Sequence, residues 1–181
     1  QWLRRGGELS CLLVDLDCFK QINDQHGHQA GDLVLQAAAR ALSKGLRASD
    51  VLARYGGEEF VLLLPDTGTQ RAAEIAERLR AAVASLALTP THGVNLRVTA
   101  SFGLASLAAD QRATFDDARD GGGRPRREQA VEDPGLWLLR QADLALYAAK
   151  ARGRNCVVIA DGSGTATTAP LAAAPVVPRE R

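Results

Sequence analysis

Apolar positions along the chain recur either as continuous runs and alternations, which predict strands, or at spacings of three and four, which predict helices. Leu9 to Val14 is an apolar run that breaks abruptly into Asp15-Leu16-Asp17, as in a buried strand ending in acid. Cys18 to Asp24 fits a short helix and turn. Gly27-His28-Gln29-Ala30-Gly31-Asp32 then opens a longer helix, with Leu33, Val34, Ala37, Ala38, Ala41 and Leu42 as its stripe and Gly45 as its stop. Val51-Leu52-Ala53 and Phe60 to Leu64 predict two strands meeting in a hairpin at Gly56-Gly57. Thr67 and Gln70 are spaced as a capping box for a helix with the apolar face Ala72, Ala73, Ile75, Ala76, Leu79, Ala82, Val83 and Leu86. From Val94 to Leu107 a strand is predicted, with Leu96, Val98, Ala100, Phe102 and Leu104 as its one core face.

The segment from Ala109 to Pro134 carries Gly121-Gly122-Gly123 and Arg124-Pro125-Arg126-Arg127 among acids, and reads as a long surface loop with a solvated charge run. A helix from about Leu136 places Leu139, Ala142, Leu146 and Ala149 on one face, with Gly153 as its stop, and Cys156 to Ile159 makes a last strand. Residues 1–160 form one domain on this reading, and 161–181 form a disordered tail rich in Ala, Pro and Thr. The element order predicts an α+β fold of the split βαβ plan: a central, mainly antiparallel sheet with flanking helices covering one face. On that plan the Asp15 strand and the hairpin are neighbours.

Candidate chemistry sits at their shared end. Glycine tolerates positive φ and close backbone approach, so Gly56-Gly57 is either a plain turn or a seat for a phosphate. Glu58 and Glu59 repel each other at a hairpin tip, so they are either a solvated turn or ligands for a hard cation. Asp15 and Asp17 share a strand face, with Leu16 pointing away.

Composition narrows the field. A formal net charge of +1 with 24% charged residues gives no global basic field for nucleic acid or an anionic membrane, so any phosphate chemistry is local. Three cysteines, Cys11, Cys18 and Cys156, lack metal-ligand spacing, and their odd number argues against a secreted disulfide framework. A cytoplasmic setting fits. No apolar run reaches the roughly 20 residues that span a bilayer, so direct membrane insertion of this stretch is not expected, although a longer parent protein is compatible with an anchor elsewhere.

Asp15-Leu16-Asp17-Cys18-Phe19-Lys20-Gln21-Ile22-Asn23-Asp24, Gly27-His28 with Gly31-Asp32, Gly56-Gly57-Glu58-Glu59-Phe60, and Ala142-Asp143-Leu144-Ala145-Leu146-Tyr147 with Lys150 and Gly153-Arg154-Asn155 together resemble the GGDEF domains, the diguanylate cyclases. The resemblance runs from about Leu9 to Ile159. It implies a palm-like sheet of the nucleotide cyclase and polymerase type. It further implies a homodimer whose two facing sites join two GTP into cyclic di-GMP, releasing two pyrophosphates. Such transfer needs a positioned triphosphate, a divalent metal and an activated 3′-hydroxyl.

By resemblance, Asp15, Glu58 and the Leu16 carbonyl hold Mg²⁺ or Mn²⁺, two ions per site. Glu59 completes the metal site or helps deprotonate the hydroxyl. Asn23 and Asp32 read guanine. Phe19, Lys20, Gly56, Gly57, Lys150 and Arg154 cradle phosphates, and His28 falls among the substrate-binding positions. Arg47-Ala48-Ser49-Asp50, an RxxD pattern nine residues before the double glycine, resembles the family's product-binding inhibitory site, with Arg78 as third contributor. The chain departs from the family in lacking the usual DxLTxLxNRR segment, in Cys18 where a histidine is frequent, and in its long 109–134 loop. The competing reading is a catalytically silent module that binds cyclic di-GMP or GTP and signals to a partner. A different cyclase on the same palm is disfavoured by the guanine-reading Asn23 and Asp32.

Overall fold

In the computed structural model, which describes residues 7–89, 96–108, 133–161 and 166–167, the strand β1 (Leu9–Leu16) has seven successive buried residues. A strand with no exposed position has both faces covered. β1 is flanked by β3 (Glu59–Pro65) and β4 (Ala100–Leu107) in a six-stranded sheet that also holds β2 (Val51–Arg54), β5 (Val157–Ala160) and β6 (Ala166–Thr167). The order is β2-β3-β1-β4-β5-β6. All pairs are antiparallel except β4 with β5, so the expected mainly antiparallel palm sheet is what forms. β1 and β3 are neighbours, in a register that sets Asp15 opposite Glu59.

Among the described residues four helices flank the sheet: α1 (Phe19–His26), α2 (His28–Lys44), α3 (Thr69–Ala84) and α4 (Pro134–Ala151). Leu12, Val14 and Leu16 of β1 join Phe60, Leu62, Phe102 and Leu104 in a core closed by α1, α2 and α3 through residues such as Ile22, Val34, Leu42 and Leu79. The intervening side chains point the other way, and there the expectation of helices on one face is corrected. Cys11, Leu13, Ala105 and Leu107 pack against Leu138, Ala142 and Leu146 of α4. β4 is accordingly buried on both faces rather than one. Its Gly103 and Ala105 are small where α4 lies against them: a Cβ on Gly103 would overlap the Ala142 carbonyl and the Leu146 amide. Each fully buried Leu contributes roughly 1.5–3 kcal/mol, so this second layer is a substantial part of the fold.

Several boundaries move for local reasons. α4 begins at Pro134 rather than Leu136, because Asp133 accepts from the Gly135 and Leu136 amides and proline suits the first turn. The Thr67–Gln70 capping box does not form. Gly68 is the N-cap of α3, and the Thr67 hydroxyl donates instead to the Pro65 carbonyl at 2.9 Å. β4 starts at Ala100, and Leu96 makes only an isolated bridge to Leu88. Ala166 and Thr167 pair with β5 inside the stretch read as a disordered tail; the rest of that stretch from 168 onward, and 109–132 of the predicted loop, lie outside the described residues. No helix among the described residues is long and apolar enough to cross a membrane.

Candidate active site

β1 delivers Asp15, Leu16 and Asp17 to one end of the sheet. Asp15 is buried, and its Oδ2 accepts from the Lys150 ammonium at 2.7 Å, so the cation from the last turn of α4 reaches the end of the first strand. Asp17, on the same face, is also buried. It accepts from the hydroxyls of Thr99 at 2.6 Å and Ser101 at 2.7 Å, and from the Asn155 amide at 3.0 Å. With three donors around it, Asp17 is an anchor rather than a free ligand. The Leu16 side chain lies in the core, and its amide donates to the Glu58 carbonyl at 3.2 Å, which ties the hairpin tip to the strand end.

The hairpin is held from within. The amides of Tyr55 and Gly56 both donate to the Glu59 carbonyl, at 2.8 and 3.3 Å. The Arg54 guanidinium donates to the Gly56 carbonyl at 3.1 Å and the Gly57 carbonyl at 2.6 Å. Neither Gly56 nor Gly57 adopts the left-handed region, so positive φ does not explain them. Gly56 sits against Glu59: a Cβ there would stand 2.6 Å from the Glu59 carboxylate, the movable end of a flexible side chain.

Glu58 and Glu59 are half-buried beside Asp15, and the potential donors here are all hard oxygens, the class that suits Mg²⁺ or Mn²⁺. The fit is incomplete as the side chains stand. Among the described residues no three His, Cys, Asp or Glu are gathered to hold a metal, and the Asp15 oxygen is bound to the Lys150 ammonium instead. That ammonium marks where positive charge is accepted.

On the other side of β1, α1 and α2 bring the predicted base readers together. Asn23 lies over Gly31, whose missing Cβ leaves room for the Asn23 amide oxygen. Asp32 is next in sequence and exposed, and His28, also exposed, is one helical turn before it. Asp32 shares its helix stripe with Leu35, Gln36 and Ala39, which line a cavity of about 310 Å³ with Leu52, Arg54 and Phe60. Phe19 places its ring in the core, so only its backbone amide, in the first turn of α1, faces outward with the exposed Lys20. Arg154 is exposed in a turn beyond α4, with φ of 66°.

The RxxD residues are away from this end. Arg47, Asp50 and Arg78 line a cavity of about 770 Å³ between α2 and α3, together with Arg40, Lys44 and Arg71, over an apolar floor that includes Ile75 and Leu79. Arg78 donates to the Gly45 carbonyl at 2.7 Å, and Asp50 accepts from the Arg47 amide at 2.8 Å. All three residues predicted for one site are thus brought to one groove.

Four residues near this end of the sheet carry interactions that sequence reasoning assigned no role: Asp17, Arg54, Arg80 and Asn155. Arg80 pairs with Glu77 and donates to the Asn155 side chain, and its hydrogen bond to the Glu77 carboxylate holds its guanidinium above the usual arginine range. The signal available was Asn155 itself, a residue that tolerates left-handed backbone, two positions after Gly153. The thiols take no part. Burial pushes Cys11 up to about 12, and burial, moderated by the Arg152 charge, also raises Cys156.

A mainly antiparallel palm sheet, an acidic strand end beside a double-glycine hairpin, and a lysine of α4 facing that end define a nucleotide-cyclase palm domain. The chain belongs to the GGDEF family: the family described as "Diguanylate cyclase, GGDEF domain" matches residues 1–120. Its members are metal-dependent nucleotidyl cyclases. The chain is 42% identical over 154 residues to the response regulator PleD of Caulobacter vibrioides, covering 84% of this chain and 29% of that protein. It is 38% identical over 159 residues to the diguanylate cyclase DgcP of Pseudomonas aeruginosa, covering 87% and 20%. It therefore spans less than a third of these curated relatives. Among solved structures it is similar to the GGDEF domain of DgcB from Caulobacter crescentus in complex with c-di-GMP, with a TM-score of 0.71 and 29% identity over 86% of this chain and 80% of that one. It also resembles the active GGEEF domain of a diguanylate cyclase from Vibrio cholerae, with a TM-score of 0.67 and 30% identity over 85% and 83%.

Proposed function

We propose that this chain is a diguanylate cyclase that condenses two GTP into cyclic di-GMP and two pyrophosphates, working as a cytoplasmic homodimer through a domain spanning 1–160. One observation carries the reading: Asp15, the Glu58–Glu59 hairpin and Lys150 converge on a single end of the sheet from three distant parts of the chain.

Asp15, Glu58 and the Leu16 carbonyl would hold Mg²⁺ or Mn²⁺, two ions per site, which when bound neutralise triphosphate charge. Lys150 releases Asp15 to the metal and moves to the phosphates with Arg154. Backbone amides of Phe19 and Lys20, with the Lys20 ammonium, and the Gly56-Gly57 turn take the remaining phosphate oxygens. Guanine lies in the slot beside Leu35, where Asp32 accepts from the base N1 and N2 hydrogens and Asn23 supplies an amide, with His28 at the rim. The two 3′-hydroxyl oxygens attack the α-phosphorus of the facing nucleotides, each attack breaking the bond to pyrophosphate and releasing one proton. Glu59 is either the acceptor of that proton or a metal ligand. In Glu59→Gln, a ligand role raises the metal concentration needed, whereas a base role lowers turnover at saturating metal. Cyclic di-GMP then returns to Arg47, Asp50 and Arg78 in the α2–α3 groove as an inhibitor.

The second reading, a silent module that binds nucleotide and signals to a partner, is favoured by one observation, the Lys150 ammonium already seated on Asp15. The experiment that separates them is incubation of the chain, fused to a dimerising coiled coil, with GTP and Mg²⁺, followed by mass analysis. Cyclic di-GMP with two equivalents of pyrophosphate supports the enzyme. Bound but unconverted nucleotide supports the silent module.

A further inference from the structure

The turn between α4 and β5 contains three consecutive left-handed residues, Gly153, Arg154 and Asn155, at φ of 102°, 66° and 47°. Two of them carry a Cβ and disfavour that region, so the turn needs holding from outside. Within the turn, the Arg154 amide donates to the Ala149 carbonyl at 3.1 Å. From outside, Asn155 is gripped on two sides. Its amide donates to Asp17 at 3.0 Å, and its Oδ1 accepts from Arg80 Nη1 at 2.6 Å. Both holders are themselves fixed. Thr99 and Ser101 donate to Asp17, and the rest of the Arg80 fork is engaged by the Glu77 carboxylate at 2.5–3.0 Å. With Nε and Nη2 on Glu77 and Nη1 on Asn155, Arg80 is committed to protein contacts rather than to a ligand.

We infer that Asp17 and Arg80 are positioning residues that clamp Asn155 between them and so fix the direction of Arg154 and the end of α4 that carries Lys150. The inference rests on the proposed function, in which those two cations hold the triphosphate. A cation on a left-handed turn with no clamp samples many directions, and ordering it on binding weakens the complex. The clamp does that ordering beforehand, during folding. Its effect is confined to ligands that reach the cations, and the nucleoside end of the ligand is indifferent to it.

The test titrates the full chain in Mg²⁺ with α,β-methylene-GTP, which cannot lose pyrophosphate, and with GMP, using Asn155→Gly, Arg80→Ala and the double variant. Each single variant is expected to bind α,β-methylene-GTP about ten-fold more weakly, and the double variant no more weakly than either single one, since both cut the same contact. GMP affinity stays within about two-fold and the thermal midpoints stay together. Unchanged triphosphate affinity, an equal loss for both ligands, or additive losses in the double variant overturns the inference. Should Arg80→Ala fail to fold, Asn155→Gly carries the test, because it removes only the side-chain acceptor and eases the left-handed turn. A wild-type chain that does not bind α,β-methylene-GTP overturns the functional reading and this inference together; a binding wild type matched by Asn155→Gly overturns this inference alone.

Discussion

The sheet end at Asp15 and the groove between α2 and α3 hold charge in opposite ways. At the sheet end the acid and the cations are engaged with one another or with backbone: Asp15 with Lys150, Asp17 with three donors, Arg54 with the hairpin carbonyls. In the groove five basic side chains line one cavity with Asp50 as the sole acid of its lining. The first arrangement must exchange an internal ion pair before it takes a charged ligand; in the second, Arg71 is paired with Glu74 and Arg78 with the Gly45 carbonyl, yet the cations of the lining outnumber its acid five to one. A site that rearranges is suited to chemistry, which needs contacts made only as the reaction proceeds. A standing basic groove is suited to reading concentration.

The comparison breaks most completely at the hairpin. Glu58→Ala is expected to lower cyclic di-GMP formation by about 1,000-fold or more, through lost charge neutralisation at the phosphates, while cyclic di-GMP still binds the groove. Near-normal turnover with Mg²⁺ in that variant would remove Glu58 from the metal site. Gly103→Val is expected to cost about 3 kcal/mol, because the strand and the α4 backbone have no room for a side chain. Urea unfolding should show a lower midpoint with activity and groove binding declining together, and an unchanged midpoint would contradict the close packing. Arg47→Ala acts on the groove alone: the inhibition constant for cyclic di-GMP should rise by about ten- to 100-fold, equivalent to 1.4–2.7 kcal/mol, with the initial rate unaltered.

An effect that vanishes at neutral pH lies under α4, away from both sites. The Cys11 thiol is raised in the fold, so between its ordinary value near 9 and about 12 the folded chain keeps a proton that the unfolded chain releases. Stability at this position is therefore complete below pH 9 and falls by about 1.4 kcal/mol per pH unit above it. Cys11→Ala should show a shallower alkaline loss than the parent in unfolding titrations from pH 8.5 to 10.5, and parallel curves would count against the shift.

Which parts were legible in the sequence follows from how each signal is encoded. The run from Leu9 to Val14 is almost wholly apolar, so its burial and its acidic end were plain, and strand order made the Asp15 strand a neighbour of the hairpin, though not the register that sets Asp15 opposite Glu59. The α2 stripe repeats over four turns, and its end at Gly45 was equally readable. The placement of α4 was not. Gly103 and Ala105 look like a weak solvent face, whereas they are small in order to admit a helix. Thr67 was misread because its hydroxyl has two local options, a helix amide or the Pro65 carbonyl, and the second prevails. Arg80 was indistinguishable from Arg71 and Arg78 by helical spacing, since its partner Asn155 lies 75 residues further along.

The contact between Lys150 and Asp15 joins residues 135 positions apart. A chain made from its amino terminus exposes Asp15 and the hairpin long before α4 exists, so on the ribosome the growing domain holds an acidic edge without its countercharge. Closing so long a loop is slow compared with forming the hairpin or α2, which places assembly of this end among the late steps of folding. Under the proposed function, the site that Lys150 completes would therefore form only in chains synthesised past α4.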